Sequence, residues 1–528
     1  MKPSACRTTP SLVDSAAATY ADKTFISDQE VSLSFSAFKD ACTQTAAALI
    51  DAGFQPGERA AIWAPNCYQW IIAALAIQYA GGVLVTINTR YKGGEASALI
   101  NQAGVSILFC AGDFLGEYYP SLLDEATQRS LKRLVVLGES QNPDHCSWST
   151  FIALGEQQLN GNGIAAVSAR AEAVSENSIS DILFTSGTTG APKGVITEHG
   201  QNLRTFEVWT DIVGLDQEDR YLVVNPFFHS FGYKAGILAC LMRGATLIPH
   251  QIFDPDSVLR CVQEHQITML PGPPTLFHSL LTHATLDEFD ISSLNKATTG
   301  AAVIAVELIE QMQQRLGIDT VITAYGLSEC CGLATMCRRD DSAETVAATS
   351  GRALPGLSVR CVDSDGNAVA SGEPGEIQVQ GFNVMRGYFE NAAATRETID
   401  SAGWLSTGDV GILDDAGNLK ITDRIKDMFI CGGFNCYPAE IEKQMNVIKG
   451  IQQVAVIGVP DERMGEVAMA CVIPEPDENL DEETVIKCCR DLMANYKVPR
   501  HVRFLEALPL NASGKVLKTA LRAKFELV

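Results

Sequence analysis

The chain has 528 residues, which is too many for one hydrophobic core, so we expect two or more domains. Its hydrophobic fraction of 46% and charged fraction of 20% are ordinary for a globular protein. A formal net charge of −23 argues against a dedicated nucleic-acid binder and against binding to anionic membranes through bulk charge. An anionic ligand is still allowed, because a local cluster of lysines and backbone N–H groups can be positive.

The most apolar stretch runs from Trp70 to Ile87 and is long enough to suggest a membrane span. Gly81 and Gly82 divide it into a helix-like half and a β-branched, strand-like half. We therefore predict a buried helix followed by a core strand, and no membrane span.

The first thirty residues lack the basic and then apolar pattern of a signal peptide. The sixteen cysteines form no C-x-x-C pair, and the adjacent pairs at 330–331 and 488–489 have poor spacing for zinc. We interpret them as reduced and mostly buried in a cytoplasmic protein, with a catalytic thiol as the less favoured alternative.

Strand-like apolar runs alternate with amphipathic helical segments through most of the chain, which predicts an α/β fold with mainly parallel sheets. From about residue 352, short β-like runs separated by turn signals predict a small β subdomain. A compact α+β segment of about a hundred residues follows it. We place the domain boundary there, with residues 1–423 as a large N-terminal domain and residues 424–528 as a small C-terminal domain.

The most informative segment is FTSGTTGAPKG, from Phe184 to Gly194, directly after an apolar run. Glycines let a backbone approach a bulky anion, while hydroxyls, N–H groups and Lys193 can bind phosphate oxygens. The loop is not a Walker A motif, because Pro192 stands where that pattern requires its second glycine. A strand running into such a loop predicts a polyphosphate site of another nucleotide-binding class, and a flexible surface loop is the alternative.

Seven further motifs stand at wide spacing: NPFFHSFG (225–232), TGAA (299–302), AYGLSE (324–329), STGD (406–409), DRIKD (423–427), GGFNCYPAEIE (432–442) and PLNASGK (509–515). Together with the phosphate loop, and in this order, they closely resemble the adenylate-forming superfamily of acyl-CoA synthetases, luciferases and peptide-synthetase adenylation domains. Each motif alone is weak, but the series covers essentially the whole chain.

The resemblance implies a two-step reaction of a small carboxylic acid with ATP and coenzyme A. The carboxylate attacks the α-phosphate of ATP to give an acyl-adenylate and pyrophosphate, and a thiol then displaces AMP. Negative charge gathers around phosphorus, so cations and N–H donors are the main catalytic resource. Glu329 would bind Mg²⁺, and Lys515 would reach the α-phosphate and the carboxylate. The loop would bind ATP through Thr185, Ser186, Gly187, Thr188, Thr189, Gly190 and Lys193.

Other motifs would bind the adenosine end of ATP. Tyr325 offers an aromatic face to adenine, and Asp409 can accept hydrogen bonds from both ribose hydroxyls. A lone Tyr-Gly or Gly-Asp turn is usually structural, so these assignments depend on the whole series. The resemblance adds Gly300, Ala301 and Ala302 as a close backbone wall, Gly326 and Ser328 beside Tyr325, and Arg424 as a support for the ribose.

The C-terminal domain resembles the family's mobile lid, which takes one orientation for adenylation and a rotated one for thioester formation. Lys426 stands at the family's hinge position, near 424–427, and Lys515 would be engaged only in the first state. Gly432 and Gly433 would line the pantetheine tunnel, where missing side chains leave room for the thiol arm.

The acyl pocket should be apolar and fairly roomy, because aromatic and small residues mix in segments 225–237, 272–277, 299–302 and 324–335. His229 borders the tunnel in relatives and is a catalytic candidate, with a buried structural histidine as the alternative. Lys234 is unusual in this company: it is either a solvent-exposed or domain-facing lysine, or a donor to a polar oxygen of the substrate. The predicted pocket residues are Phe228, His229, Tyr233, Lys234 and Gly332.

Two strings, NPFFHSFGYKAG at 225–236 and TDRIKDMFICGGFN at 422–435, narrow the substrate. They resemble a bacterial subgroup that activates the indanedione propanoate (HIP) left after steroid rings A and B are removed. The resemblance thus implies a propanoate on a bicyclic diketone, with medium-chain, aryl or alicyclic acids as alternatives.

Three other functions are compatible with the same family resemblance. An adenylation domain that loads a carrier protein is less favoured, because no carrier or condensation domain is fused to the chain. A luciferase-like oxidative enzyme is not supported, because nothing in the sequence indicates a dedicated oxygenation site. A non-catalytic nucleotide sensor is opposed by the presence of Lys193, Glu329, Asp409 and Lys515. The sequence leaves the oligomeric state open, a homodimer included.

Overall fold

A computed structural model of the chain describes residues 2–140, 142–143, 145–185, 192–300, 304–424, 427–431, 434–461, 463–476, 480–493, 495–511 and 515–525. These residues form two compact units. The first consists mainly of Met1–Gly187, Ala191–Ser358 and Val379–Leu405, and the second of Val359–Gln378 and Ser406–Val528.

The strands, in chain order, are β1 (Thr24–Asp28), β2 (Val31–Ser34), β3 (Arg59–Trp63), β4 (Val83–Thr86), β5 (Val105–Ala111), β6 (Asp113–Phe114), β7 (Glu117–Tyr118), β8 (Arg133–Leu137), β9 (Cys146–Ser147), β10 (Ile179–Thr185), β11 (Lys193–Glu198), β12 (Arg220–Val223), β13 (Thr246–Pro249), β14 (Met269–Pro271), β15 (Lys296–Gly300), β16 (Thr320–Tyr325), β17 (Thr335–Met336), β18 (Arg352–Ala353), β19 (Ser358–Val362), β20 (Pro374–Gln380), β21 (Gly387–Tyr388), β22 (Leu405–Leu413), β23 (Leu419–Arg424), β24 (Phe429–Cys431), β25 (Phe434–Cys436), β26 (Ile451–Asp461), β27 (Gly465–Pro474) and β28 (His501–Phe504).

The α-helices are α1 (Thr9–Tyr20), α2 (Phe35–Asp51), α3 (Tyr68–Tyr79), α4 (Gly93–Ala103), α5 (Tyr119–Leu122), α6 (Glu125–Ser130), α7 (Trp148–Leu159), α8 (Gly163–Ala173), α9 (His199–Val213), α10 (Ala239–Arg243), α11 (Pro255–His265), α12 (Pro274–Leu281), α13 (Val306–Arg315), α14 (Ala343–Ala348), α15 (Ala392–Thr398), α16 (Pro438–Met445), α17 (Glu482–Leu492) and α18 (Lys518–Phe525). Short 3₁₀ turns cover Pro3–Ala5, Leu286–Glu288 and Ser328–Cys330, and a π-helix covers Phe231–Leu238.

Two sheets with mainly parallel strands form the first unit, as the sequence predicts. One has nine strands in the order β18-β17-β16-β15-β14-β12-β13-β1-β2, with parallel pairing from β1 to β16. The other has eight strands in the order β21-β11-β10-β4-β3-β5-β8-β9, with parallel pairing from β10 to β9. Ligands of such sheets usually bind beyond the carboxyl ends of the parallel strands, so the loops there are the candidate site.

The apolar stretch from Trp70 to Ile87 forms α3 and β4, which confirms the predicted buried helix and core strand. The helix is buried on all sides from Trp70 onward, as expected for a helix without a polar face. Gly82 between the two elements is sterically required, because a Cβ there would lie 2.2 Å from the ring of Phe54. Within the described part of the chain, none of the helices is long and apolar enough to cross a membrane.

The second unit contains two sheets. Four strands in the order β19-β20-β22-β23 form the β-rich part that turn signals predict after residue 352. Strands β25-β24-β27-β26, with β28 beside β27, form the other sheet, and its core includes Ile441, Val456, Ala470, Val485 and Leu521. The small β sheet thus groups with the C-terminal segment, whereas the sequence assigned it to the N-terminal domain. The boundary between residues 423 and 424 stays a prediction.

Candidate active site

The predicted phosphate loop is enclosed by a β-hairpin. Strand β10 runs into the loop, and the chain returns antiparallel as β11, with Thr185 opposite Lys193. The hydroxyl of Thr185 donates to the carbonyl oxygen of Lys193 at 3.4 Å. The five loop residues predicted to bind phosphate lie outside the described residues: Ser186, Gly187, Thr188, Thr189 and Gly190. The structure therefore places the two ends of the loop at the edge of the parallel sheet.

The predicted adenine site lies at the carboxyl ends of two neighbouring parallel strands. Gly300 ends β15 and pairs with Ala324 on β16, one residue before Tyr325. The absence of a side chain at Gly300 matters, because a Cβ there would lie 3.0 Å from the carbonyl oxygen of Ala324. Tyr325 is 8% exposed, so its ring is largely held by the protein. Ala301 and Ala302 lie outside the described residues.

A tight turn after β16 holds Gly326, Ser328 and Glu329. A Cβ on Gly326 would lie 2.3 Å from the carbonyl oxygen of Gly332, so the turn can close only with glycine at that point. The side-chain amide of Asn383 donates to the carbonyl oxygens of Cys330 and Leu333, at 3.2 and 2.6 Å. This buried asparagine supports the turn, and the sequence reasoning missed it because nothing local to residue 383 indicates the contact.

Two contacts from one segment fix Glu329. The hydroxyl of Tyr388 donates to the Oε1 carboxylate oxygen at 2.9 Å, and the backbone N–H of Met385 donates to the Glu329 carbonyl oxygen at 2.8 Å. Tyr388 also lies beside the phosphate loop, because β21 pairs with β11 and the Lys193 ammonium is 4.9 Å from the centre of the Tyr388 ring. The structure thus brings Glu329 and Lys193 together on either side of a tyrosine that the sequence reasoning missed.

The residues around Glu329 fit a Mg²⁺ ion that is bound by one protein carboxylate together with the phosphates of ATP. Among the described residues, no group of three or more His, Cys, Asp or Glu side chains could hold a metal ion by itself. Glu329 supplies one half-buried carboxylate near the phosphate loop. Mg²⁺ is commonly bound by one or two carboxylates plus substrate phosphates, which is what this arrangement offers.

His229 lies at the surface rather than in the core, so the alternative of a buried structural histidine is wrong. Its Nδ1 atom accepts a hydrogen bond from the backbone N–H of Phe231 at 3.2 Å, which leaves Nε2 to carry the proton of the neutral ring. The preceding Phe228 is half-buried, and its carbonyl oxygen accepts from the Thr86 hydroxyl at 2.7 Å. The contact ties the histidine loop to the end of β4.

The histidine motif and the glutamate turn meet at Gly332. This glycine has a φ of 95°, and a Cβ there would lie 2.3 Å from the hydroxyl oxygen of Ser230. Two segments predicted to form the acyl pocket, 225–237 and 324–335, are therefore in contact at this point. The pocket role of Gly332 and Phe228 stays a prediction.

Lys234 is 1% exposed, so the expectation of a solvent-exposed lysine is wrong. Its ammonium lies 3.0 Å from a carboxylate oxygen of Asp181 on β10 and donates to the Thr197 hydroxyl at 3.1 Å. The Asp181 carboxylate also accepts from Thr197 and from the Asn202 amide, at 2.8 and 2.6 Å. A charged side chain can be buried when it is paired and hydrogen-bonded in this way. The role of Lys234 as a donor to substrate stays a prediction.

The neighbours of Lys234 are also buried. Tyr233 is 0% exposed, and its hydroxyl accepts from the Gln78 amide at 2.8 Å, which places this predicted pocket residue in the core. Burial raises the pKa of the Cys331 thiol to about 12, although the Lys234 ammonium acts in the opposite direction. The thiol therefore stays protonated and is a poor nucleophile at neutral pH.

The second unit carries the other predicted nucleotide contacts. Asp409 on β22 pairs with Arg424 on β23, so the two residues predicted to bind the ribose are cross-strand neighbours. Burial raises the pKa of nearby Glu376, which accepts from the Gly408 N–H at 3.1 Å, and the Asp409 carboxylate adds to the shift.

Lys515 is exposed, and its backbone N–H donates to the side-chain oxygen of Asn511 at 2.9 Å. The predicted hinge and tunnel residues Lys426, Gly432 and Gly433 lie outside the described residues.

Comparison with known proteins identifies the family of the chain. The AMP-binding enzyme family model matches residues 13–389, and that of the AMP-binding enzyme C-terminal domain matches residues 440–515. A Mycobacterium tuberculosis protein named 3-[(3aS,4S,7aS)-7a-methyl-1,5-dioxo-octahydro-1H-inden-4-yl]propanoyl:CoA ligase is 48% identical over 516 residues, which cover 98% of each chain. A Rhodococcus jostii protein of the same name is 46% identical over 520 residues, again 98% of each chain.

The fold comparison covers the full length. The crystal structure of the anthranilate CoA ligase AuaEII in complex with anthranoyl-AMP is similar with a TM-score of 0.88 at 24% identity, over 100% of this chain and 99% of that chain. The chain therefore belongs to the AMP-binding enzyme family of adenylate-forming enzymes, in the class of AMP-forming acyl-CoA synthetases.

Proposed function

We propose that this acyl-CoA synthetase converts HIP, the indanedione propanoate, into its CoA thioester. The observation that carries the substrate is the identity of 48% and 46%, over 98% of the chain, with two proteins whose name specifies the corresponding propanoyl group. The aligned region spans 98% of the chain and so covers the segments that would form the acyl pocket. A similar pocket for a propanoate on a bicyclic diketone is the simplest explanation.

In the first half-reaction, this chain's cations and N–H donors would stabilise charge on phosphorus while the substrate carboxylate displaces pyrophosphate. Lys193, at the end of the phosphate loop, would hold the outer phosphates of ATP, with Thr185 at the opposite side of the hairpin. Lys515 would reach the α-phosphate and the incoming carboxylate. Retention of this lysine distinguishes an adenylating enzyme from a nucleotide sensor.

The adenosine end of ATP would be recognised by the shape of its site and by the carboxylate of Asp409. Tyr325 would stack on adenine beside the backbone wall that begins at Gly300. Asp409 would accept both ribose hydroxyls, with Arg424 on the neighbouring strand as its support. Charge-assisted hydrogen bonds of this kind are about twice as strong as neutral ones.

Glu329 would hold Mg²⁺ together with the phosphates of ATP. When bound, such an ion neutralises phosphate charge and orients the leaving group. The chain's own part is to present a single carboxylate in a fixed position beside the phosphate loop. The tight turn that bears Glu329 serves that purpose.

In the second half-reaction, the thiol of coenzyme A would attack the acyl-adenylate and release AMP. The tunnel residues Gly432 and Gly433 would leave room for the pantetheine arm, and His229 would border its inner end. A lid rotation about the hinge near Lys426 would separate the two half-reactions. A cytoplasmic location and a homodimer stay predictions.

Acid-dependent pyrophosphate release with Mg-ATP and CoA tests the proposal. The panel would contain HIP, linear C4–C12 acids and aryl acids, and the thioester products would be identified by mass. A clear preference for HIP supports both the reaction and the substrate. A preference for linear or aryl acids would refute HIP while keeping the ligase, and pyrophosphate release without an acyl-CoA product would point to another acceptor.

A further inference from the structure

Tyr388 joins two parts of the catalytic site that are far apart in the sequence. Its hydroxyl donates to the Glu329 carboxylate at 2.9 Å, and its ring lies under the Lys193 ammonium at 4.9 Å. The tyrosine is 9% exposed, so both contacts are made by a side chain with little freedom to move. Nothing in the proposed mechanism so far uses this residue.

The backbone around Tyr388 is fixed from both sides. Tyr388 pairs with Val195 on β11, and the N–H of Phe389 donates to the Gly194 carbonyl oxygen at 2.7 Å. The N–H of Tyr388 itself donates to the Thr395 hydroxyl at 2.9 Å. These bonds hold the ring against the strand that follows the phosphate loop, and the hydroxyl reaches the Glu329 carboxylate from there.

The hydroxyl of Tyr388 acts as the donor to Glu329. The contact has this direction because an ionised carboxylate offers only acceptor atoms, whereas the phenol hydroxyl carries a proton to donate. A carboxylate that accepts a hydrogen bond on one oxygen has that oxygen held in place and the other oxygen pointing in a defined direction. Groups that hydrogen-bond to a metal ligand, without touching the ion, commonly orient that ligand toward the ion.

We propose that Tyr388 is the positioning residue for the Glu329 carboxylate: its hydroxyl orients that carboxylate for Mg²⁺, and its ring holds the Lys193 ammonium beside it. The inference rests on the proposed function, because it takes Glu329 as the metal ligand. Tyr388 itself touches neither ATP nor the ion and acts only through its two neighbours. Its hydroxyl and its ring therefore have separable effects.

The test measures metal-dependent nucleotide binding rather than turnover alone. ATP binding to the full chain is measured by calorimetry at a series of free Mg²⁺ concentrations and in EDTA. For Y388F, which keeps the ring under Lys193, we expect ATP binding in EDTA to match the parent. The free Mg²⁺ concentration that gives half of the full gain in ATP affinity should rise by about 10-fold. This is the lower end of the loss in metal affinity when a hydrogen-bond partner of a metal ligand is removed.

Y118F is the matched control, because the Tyr118 hydroxyl bonds to Ser140 at 3.2 Å in a hairpin outside the predicted site. It should leave the Mg²⁺ dependence unchanged. An unchanged Mg²⁺ requirement in Y388F would overturn the inference while leaving the proposed function intact. If ATP binding to the parent enzyme did not depend on Mg²⁺, the inference would be overturned as well. Acid-dependent pyrophosphate release, measured separately, would then show whether the proposed function fails too.

A double-mutant cycle keeps the inference falsifiable if Y388F is also less stable. In the E329Q background the carboxylate is gone, so the further change Y388F should leave the Mg²⁺ requirement unaltered. Additive effects of the two substitutions would mean that Tyr388 acts on the whole fold rather than through Glu329. Y388L should in addition weaken ATP binding in EDTA, because it removes the ring under Lys193; equal binding would refute the second half of the proposal.

Discussion

His199 shows how burial alone can make one residue pH-sensitive. Its Nδ1 atom lies 2.9 Å from the Thr9 hydroxyl, the side chain is 1% exposed, and burial lowers its pKa to about 4. In the unfolded chain the pKa is about 6.5, so between these values the unfolded state binds more protons than the folded one. The stability that neutral His199 contributes to the folded state is therefore fully present above a pH of about 6.5. It is lost as the pH falls toward about 4.

We expect the stability of the first unit to fall by up to about 3 kcal/mol through His199 as the pH drops from 7 to 4. H199Q keeps a hydrogen-bond acceptor without the titration, so its stability should depend less on pH over this range. The measurement is the urea midpoint of parent and variant at each pH. H278Q, at an exposed histidine of α12, is the control, and an equal pH slope in parent and H199Q would refute the account of His199.

At the scale of elements, a buried ion pair joins β10 to the π-helix Phe231–Leu238. Lys234 and Asp181 are 1% and 0% exposed, so removal of one partner leaves an uncompensated charge in the core. We expect K234M to destabilise the protein by about 3–5 kcal/mol, and the double variant K234M/D181L to recover most of that loss. Urea unfolding of the two variants checks this, and a stable K234M would contradict the pairing.

The same double variant decides whether Lys234 contacts the substrate. If the Lys234 ammonium donates to a ring oxygen of HIP in addition to its two partners within the core, K234M/D181L should raise KM for HIP by a larger factor than KM for a plain alkanoate. An equal change in the two KM values would show that Lys234 serves the core alone. Steady-state kinetics with both acids is the measurement.

Gly332 is the point at which the histidine loop and the glutamate turn touch. Alanine there would need a φ of 95° and would place its Cβ 2.3 Å from the Ser230 hydroxyl oxygen, so one of the two segments must shift. We expect G332A to raise KM for the acid by about 10-fold, equivalent to about 1.4 kcal/mol, with ATP affinity in the absence of acid unchanged. G317A, at an open surface position with φ of 70°, controls for backbone strain. Equal loss of acid and ATP binding would show that the pocket is not formed here.

The sequence predicted what its local patterns encode. Thr185 and Lys193 belong to one contiguous loop, and the helix and strand around Gly82 follow from a continuous apolar run, so both could be placed without tertiary information. Glu329 with Tyr388, and Lys234 with Asp181, are contacts between segments distant in the chain. The sequence left a solvent-exposed lysine open as an alternative for Lys234, and it could not exclude this alternative because the counter-ion of Lys234 lies on another strand. The π-helix around it likewise has no local signature.

At the scale of the whole molecule, we propose that the C-terminal segment takes a different state in each of the two half-reactions. Lys515 would serve only adenylation, so K515A should slow acyl-adenylate formation by roughly 100-fold or more while leaving thioester formation from preformed acyl-AMP largely intact. Both half-reactions are measured separately, with K420A at an exposed strand position as the control. Equal loss in both would refute the lid assignment.

The fold itself does not select the acid, since adenylate-forming enzymes with different substrates share it. We propose that the side chains around Gly332 and His229 select the acid. A pocket that matches the ring ketones of HIP would leave polar groups unpaired with an acid that lacks them. The comparison of HIP with its ring-deoxygenated analogue isolates that contribution, because size and shape are nearly the same in the two acids.

The most direct measurement is kcat/KM for CoA thioester formation with HIP, with the analogue lacking both ring ketones and with octanoate, at fixed Mg-ATP and CoA. We predict that kcat/KM for HIP exceeds that for each of the other acids by at least about 100-fold. A kcat/KM for octanoate or for the deoxygenated analogue equal to or above that for HIP would contradict the proposed substrate.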